Sequence, residues 1–139
     1  MKYPAILEMA KEMELFSHLA EALTQGNTDT RIEAMICWHN IFSKCDENAL
    51  ANIVSTNVFA GVSKGLESIN PELIITSLNT LQQILQRTQI NCQKLSAMIF
   101  QKLREANVIN LVEGLISSKN ETIAEKAIKL IDVIFKCTN

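Results

Sequence analysis

Aromatic residues make up only 5% of this 139-residue sequence, and it holds just 4 Gly and 2 Pro. So few turn-forming residues exclude a fold of many short strands and tight hairpins. Charge is balanced, with 13 Lys and Arg against 15 Asp and Glu. The basic excess that usually marks a nucleic-acid or anionic-membrane surface is therefore missing. No apolar run reaches the ~18 to 20 residues needed to cross a bilayer. The opening stretch "MKYPAILEMAKEMELF" is interrupted by Glu8, Lys11, Glu12 and Glu14, so it lacks the apolar core of a signal peptide. Cytoplasm and nucleus are the expected locations.

Cysteine pairing motifs are absent as well. Cys37, Cys45, Cys92 and Cys137 are widely spaced with no CxxC, which suits reduced and mostly buried thiols. A zinc site using Cys37, His39 and Cys45 has the wrong geometry, because residues 37 and 39 point to different faces of a helix. No Gly-rich phosphate loop, paired-carboxylate signature or nucleophile with its base at helical spacing occurs. His18 and His39 read as helix-surface residues. No metal, no cofactor and no enzymatic activity are expected. The triplet Asn120-Glu121-Thr122 is a glycosylation sequon in form only.

What the chain does have is apolar residues, 47% of it, mixed with Glu, Lys and Gln in a way that favours helix. It also repeats itself. "NTDTRIEAMICWHNIF" from Asn27, "NPELIITSLNTLQQIL" from Asn70 and "NETIAEKAIKLIDVIF" from Asn120 align without gaps. Counting from each Asn, place +7 holds small Ala34, Ser77 and Ala127. Place +8 holds Met35, Leu78 and Ile128, and +11 holds Trp38, Leu81 and Ile131. Place +14 is Ile in all three copies (41, 84 and 134), and +15 holds Phe42, Leu85 and Phe135. Such spacing describes one face of an α-helix, with Trp38 in the core register. Each Asn is a good N-cap, and Pro71 suits a first helical position.

Shorter amphipathic segments precede each long helix: "LFSHLAEAL", "VFAGVSKGL" and "VINLVEGLI". Gly65 and Gly114 align there with small Ala22, where helices could approach closely. Further upstream stand "YPAILEMAKE", "DENALANIVST", for which Asp46 is the expected cap, and "QKLSAMIFQKLREA". The unit is thus three helices long. Its starting Asn residues, at 27, 70 and 120, give periods of 43 and then 50 residues, with an enlarged loop expected around "QRTQINCQ". Units of ~40 to 47 residues are the length of HEAT and armadillo repeats, and three helices per unit favour armadillo. The sequence therefore predicts an all-α fold: a right-handed α-solenoid of about three armadillo-type repeats. They would span roughly 3–44, 46–88 and 91–137 of a single domain, 1–139.

At "EANVINLVEGLI" the sequence resembles the armadillo turn E-A-G-x-I. Glu105, Ala106, Ile109 and Leu115 match, and Asn107 stands where Gly is usual, a residue that also tolerates the left-handed region. "RIEAMICWHNIF" and "NETIAEKAIKLIDVIF" resemble third helices of the importin-α family, and nearly the whole chain resembles that family's C-terminal repeats. The resemblance implies a nuclear import adaptor whose late repeats contact an export receptor and a nucleoporin. The family's Trp-and-Asn ladder is altered here. Its places hold Ile36 and Asn40, then Asn79 and Gln83, then Lys129 and Val133, so no Trp ladder exists to sandwich lysine stems.

In such a stack, places +6, +9 and +13 of the long helices should face the concave groove. They hold Glu33, Ile36 and Asn40; Thr76, Asn79 and Gln83; Lys126, Lys129 and Val133. Amides there would hold an extended peptide by its backbone. The expected partners are proteins or extended peptides such as peptide cargo, not nucleic acid or membrane. An N-terminal end face carrying Met9 and Met13 would also allow self-association. The remaining alternatives are a scaffold of another adaptor or co-chaperone, and a helical accessory domain of an enzyme.

Overall fold

A computed structural model describes the backbone of residues 3–90 and 93–138, and the side chains of residues 12–87 and 95–136. The described chain is entirely helix and connecting turns. Its elements are α1 (Tyr3–Gln25), α2 (Thr28–Lys44), α3 (Glu47–Val54), α4 (Val58–Leu66), α5 (Pro71–Ile90), α6 (Gln93–Glu105), α7 (Val108–Leu115) and α8 (Glu121–Thr138). No helix among the described residues is long and apolar enough to cross a membrane.

The caps form where the sequence places them. Asn27 Oδ1 accepts from the Thr30 amide at 2.9 Å. Asn70 Oδ1 accepts from the amides of Glu72 and Leu73 at 2.9 and 3.2 Å, and Asn120 Oδ1 from those of Thr122 and Ile123 at 3.0 and 3.3 Å. Asp46 Oδ1 takes the Ala49 amide at 2.8 Å and starts α3. Each bond satisfies donors that a helix N-terminus leaves open. Before α7 the chain turns through Asn107 at φ 63°, ψ 23°, a left-handed residue where the resembling turn has Gly.

Two connections differ from expectation. The first two helical segments run together as α1, because nothing between Pro4 and Gly26 breaks a helix. Asn91 and Cys92, inside the loop expected around "QRTQINCQ", lie outside the described residues, and the extra length of the last unit shows on either side of them. It is taken up largely by helix, since α5 continues to Ile90 and α6 has 13 residues against 8 in α3. The far end of α1 is held by cations from two neighbours. The Thr24 carbonyl accepts from Arg31 Nη2 on α2 and Lys64 Nζ on α4, both at 3.2 Å, which also favours the negative end of the helix dipole.

Like helices stack on like. α2 packs on α5 and α5 on α8, while α1 meets α4 and α4 meets α7. Ala34, Ser77 and Ala127 are buried between layers, as the small +7 places require. Trp38 is fully buried, with the rings of Phe16 and Phe42 each 5.7 Å away by centroid. Interlayer bonds reach backbone: the Thr80 hydroxyl lies 3.1 Å from the Met35 carbonyl, and Arg87 Nη1 donates to the Phe42 carbonyl at 3.0 Å. The repeat rule fails in the last unit. Ile128 and Phe135, at the core places +8 and +15, are 52% and 58% exposed, because no further layer among the described residues covers α8.

The two aligned glycines also part company. A Cβ on Gly65 would meet Ser77 Oγ and come within 3.0 Å of Met35 Cε. At Gly114 a Cβ would meet nothing within 4 Å, so no close approach exists there. Gly65→Ala is therefore expected to destabilise by about 1–3 kcal/mol through overpacking. Gly114→Ala should stabilise by about 0.5–1 kcal/mol through helix propensity. Urea unfolding of the two variants checks the opposite signs; a loss at both would contradict the open space beside Gly114.

Candidate functional site

The long helices α2, α5 and α8 lie side by side, and two hollows run between them. The first, about 110 Å³, is lined by Ile36 and His39 of α2 and Thr76 and Asn79 of α5. The second, about 290 Å³, is lined by Leu78, Asn79 and Gln82 of α5 and Lys126, Lys129, Leu130 and Val133 of α8. Asn79 borders both, so the hollows lie side by side as a track across the three helices, with Asn79 between them.

Of the residues expected to line a groove, Ile36, Thr76, Asn79, Lys126, Lys129 and Val133 thus share this track. Ile36 is 46% exposed on it, an apolar contact point with no layer above. Glu33 is exposed one turn earlier on α2, and Gln83 is half-buried; neither borders the hollows. Asn40 lines a different hollow, at the N-terminal end of the stack. His39 and Gln82 were missed. Both occupy place +12, three residues after the +9 residues, so the helical spacing that selected +9 and +13 covers +12 equally well.

The track is chemically graded. Its α2 side pairs apolar Ile36 with the His39 imidazole, and Glu33 lies one turn earlier on α2. Its middle carries amides, Asn79 and Gln82, which both donate and accept. Its α8 side carries two ammonium groups. Such a surface can pair with a peptide main chain at the centre and with carboxylates at one end.

The end hollow, about 540 Å³, is lined by Glu12, Phe16, Asn40, Ile41, Lys44, Cys45, Asp46 and Ala49. Cys45 is half-buried there, and burial pushes its thiol above the ordinary value, partly offset by Arg87, whose Nη1 lies 3.7 Å from the sulfur. Cys37 is exposed rather than buried, because among the described residues no layer precedes that face of α2. Met13 is 41% exposed near this end. The side chains of Met9, Cys92 and Cys137 lie outside the described residues. Among the described residues no group of three or more His, Cys, Asp or Glu is placed to hold a metal ion.

Comparison with solved structures shows the same architecture. A designed armadillo repeat protein superposes over 86% of this chain with a TM-score of 0.66 at 19% identity. The crystal structure of an engineered protein superposes over 88% with a TM-score of 0.71 at 18% identity. The chain spans 46% of the length of either structure. No protein-family model and no curated protein matches the sequence. The fold is an all-α solenoid of about three armadillo-type repeats, and α2, α5 and α8 are its third helices.

Proposed function

We propose that this chain is a non-enzymatic protein-interaction module that holds an extended peptide along the track between α2, α5 and α8. One observation carries the reading: the two hollows lie on either side of Asn79, which lines both. A peptide laid along that path puts its backbone against Asn79 and Gln82. An apolar side chain rests on Ile36, and acidic side chains meet Lys126 and Lys129. Exposed ion pairs add little individually, so the amide contacts set register and the lysines set preference.

Peptides selected from a random display library on the folded chain should be enriched in Asp or Glu at one end. Asn79→Ala is expected to weaken such peptides about 3- to 10-fold, the worth of one net hydrogen bond. The double change Lys126→Glu with Lys129→Glu should abolish the acidic preference. Selected peptides whose affinity ignores all three changes would sink the groove reading.

The resemblance to the importin-α family motivates a narrower version, an adaptor working between cytoplasm and nucleus whose partners include an export receptor and a nucleoporin. Ile36, Asn79 and Lys129 in place of Trp set it apart from a signal-binding ladder. A pulldown of purified export receptor and nucleoporin fragments decides it; binding to neither removes the import role and leaves the general adaptor reading.

A further inference from the structure

The two ends of this stack are complementary to each other. In the first two units the +8 and +15 residues, Met35, Phe42, Leu78 and Leu85, are at most 1% exposed because the next long helix covers them. In the last unit the same places are the exposed Ile128 and Phe135. On the opposite side of each long helix, places +10 and +17 receive the preceding unit. There Thr80 is buried against the Met35 carbonyl, and Arg87 donates to the Phe42 carbonyl. In the first unit those two places are Cys37 and Lys44, both exposed.

The last described unit thus presents the kind of knobs that the inner interfaces bury, and the first presents the kind of surface that receives them. The receiving end also has a socket. Lys44 stands in α2 where Arg87 stands in α5, and it lines the end hollow together with Phe16, Ile41 and Ala49. Since Arg87 bonds the carbonyl of Phe42, a +15 residue of the unit before it, a preceding unit's +15 residue would stand beside Lys44 and this hollow. Charge agrees with the fit: Glu12 and Asp46 rim the hollow. Beside Phe135 stands Lys136, exposed and 3.1 Å from Asp132.

We propose that a second copy of this chain docks head to tail on the first, continuing the inner repeat-to-repeat interface between molecules. Ile128 and Phe135 of one copy pack on the Cys37 and Lys44 face of the next, and Phe135 enters the hollow between Phe16 and Ile41. The Lys44 ammonium then approaches the carbonyl end of the neighbour's α8, where a helix dipole favours a cation. The contact joins two different surfaces, so it does not close on itself as a two-fold dimer does and propagates along the stack.

Sedimentation velocity on the full chain and two variants tests this. Phe135→Glu blocks the tail and Cys37→Arg blocks the head; both change exposed positions, and circular dichroism checks that each variant is folded. The wild-type chain should show a weight-average mass rising with concentration through multiples of 15.5 kDa. Each variant alone should stay at the monomer mass. An equimolar mixture should give a discrete dimer, because one variant keeps its head and the other its tail. Three results would overturn the proposal. One is a wild-type chain that stays monomeric up to about 1 mM, which assigns the tail face to some other occupant. Another is a Cys37→Arg variant that still dimerises alone, which means a tail-to-tail contact. The last is a mixture that stays monomeric while the wild type associates.

Discussion

Phe42→Ala is expected to lower the unfolding free energy by about 3–5 kcal/mol, and Phe135→Ala by less than about 1 kcal/mol. The two residues hold the same place in their repeats. Phe42 is fully buried, its ring is 5.7 Å from Trp38, and α5 bonds to its carbonyl. Its removal leaves a cavity between two layers, and in a solenoid each layer depends on its neighbours. Phe135 is 58% exposed, so truncation there empties no core. Urea unfolding at micromolar concentration, with unchanged slope, measures both. Equal losses at that dilution would mean that α8 is covered within a single molecule. A Phe135→Ala loss that grows with protein concentration is the thermodynamic signature of end-to-end docking.

Much of the architecture is legible in the sequence because its determinants are local. An Asn before a helix, a small residue at +7 and large ones at +8 and +11 act within one turn or one layer contact. They place the starts of α2, α5 and α8 and bury Trp38 as expected. What is illegible is position within the stack. Phe42 and Phe135 are the same residue type in the same register, and only the presence of a following layer makes one core and the other surface. The same reason separates buried Thr80 from exposed Cys37 at +10, where a preceding layer decides. The groove is half legible. Asn79, Lys126 and Lys129 follow from helical period, but His39 and Gln82 share that face at a spacing the period does not distinguish.

The interlayer hydrogen bonds explain how unlike repeats can still stack. Thr80 and Arg87 both reach carbonyl groups of α2, and Arg87 also approaches the Cys45 thiol at the end of that helix. Backbone acceptors are present whatever residue occupies the facing place, so Met35 need not be matched by a dedicated partner. Side chains on the groove face carry no such duty. Ile36, Asn79 and Lys129 can therefore differ from one repeat to the next while these interlayer bonds are kept.

Trp38 lets packing and polarity be measured separately at one site. Its indole is fully buried between Phe16 and Phe42, at interplanar angles of 38° and 36°. Truncation by Trp38→Ala removes both contacts and leaves the largest cavity this core can hold, at about 3–5 kcal/mol. Yet Trp38 Nε1 is buried with no hydrogen-bond acceptor among the described residues, and an unmet buried donor costs about 1–3 kcal/mol. Trp38→Phe keeps an aromatic ring between its neighbours and deletes that donor. The two effects oppose each other, so this variant should lose no more than about 1 kcal/mol. Chemical unfolding followed by circular dichroism compares the two, since each variant lacks the chain's single tryptophan. If Trp38→Phe costs as much as Trp38→Ala, the indole N–H is bonded, with a buried water as the natural acceptor, and the polar half of this account fails.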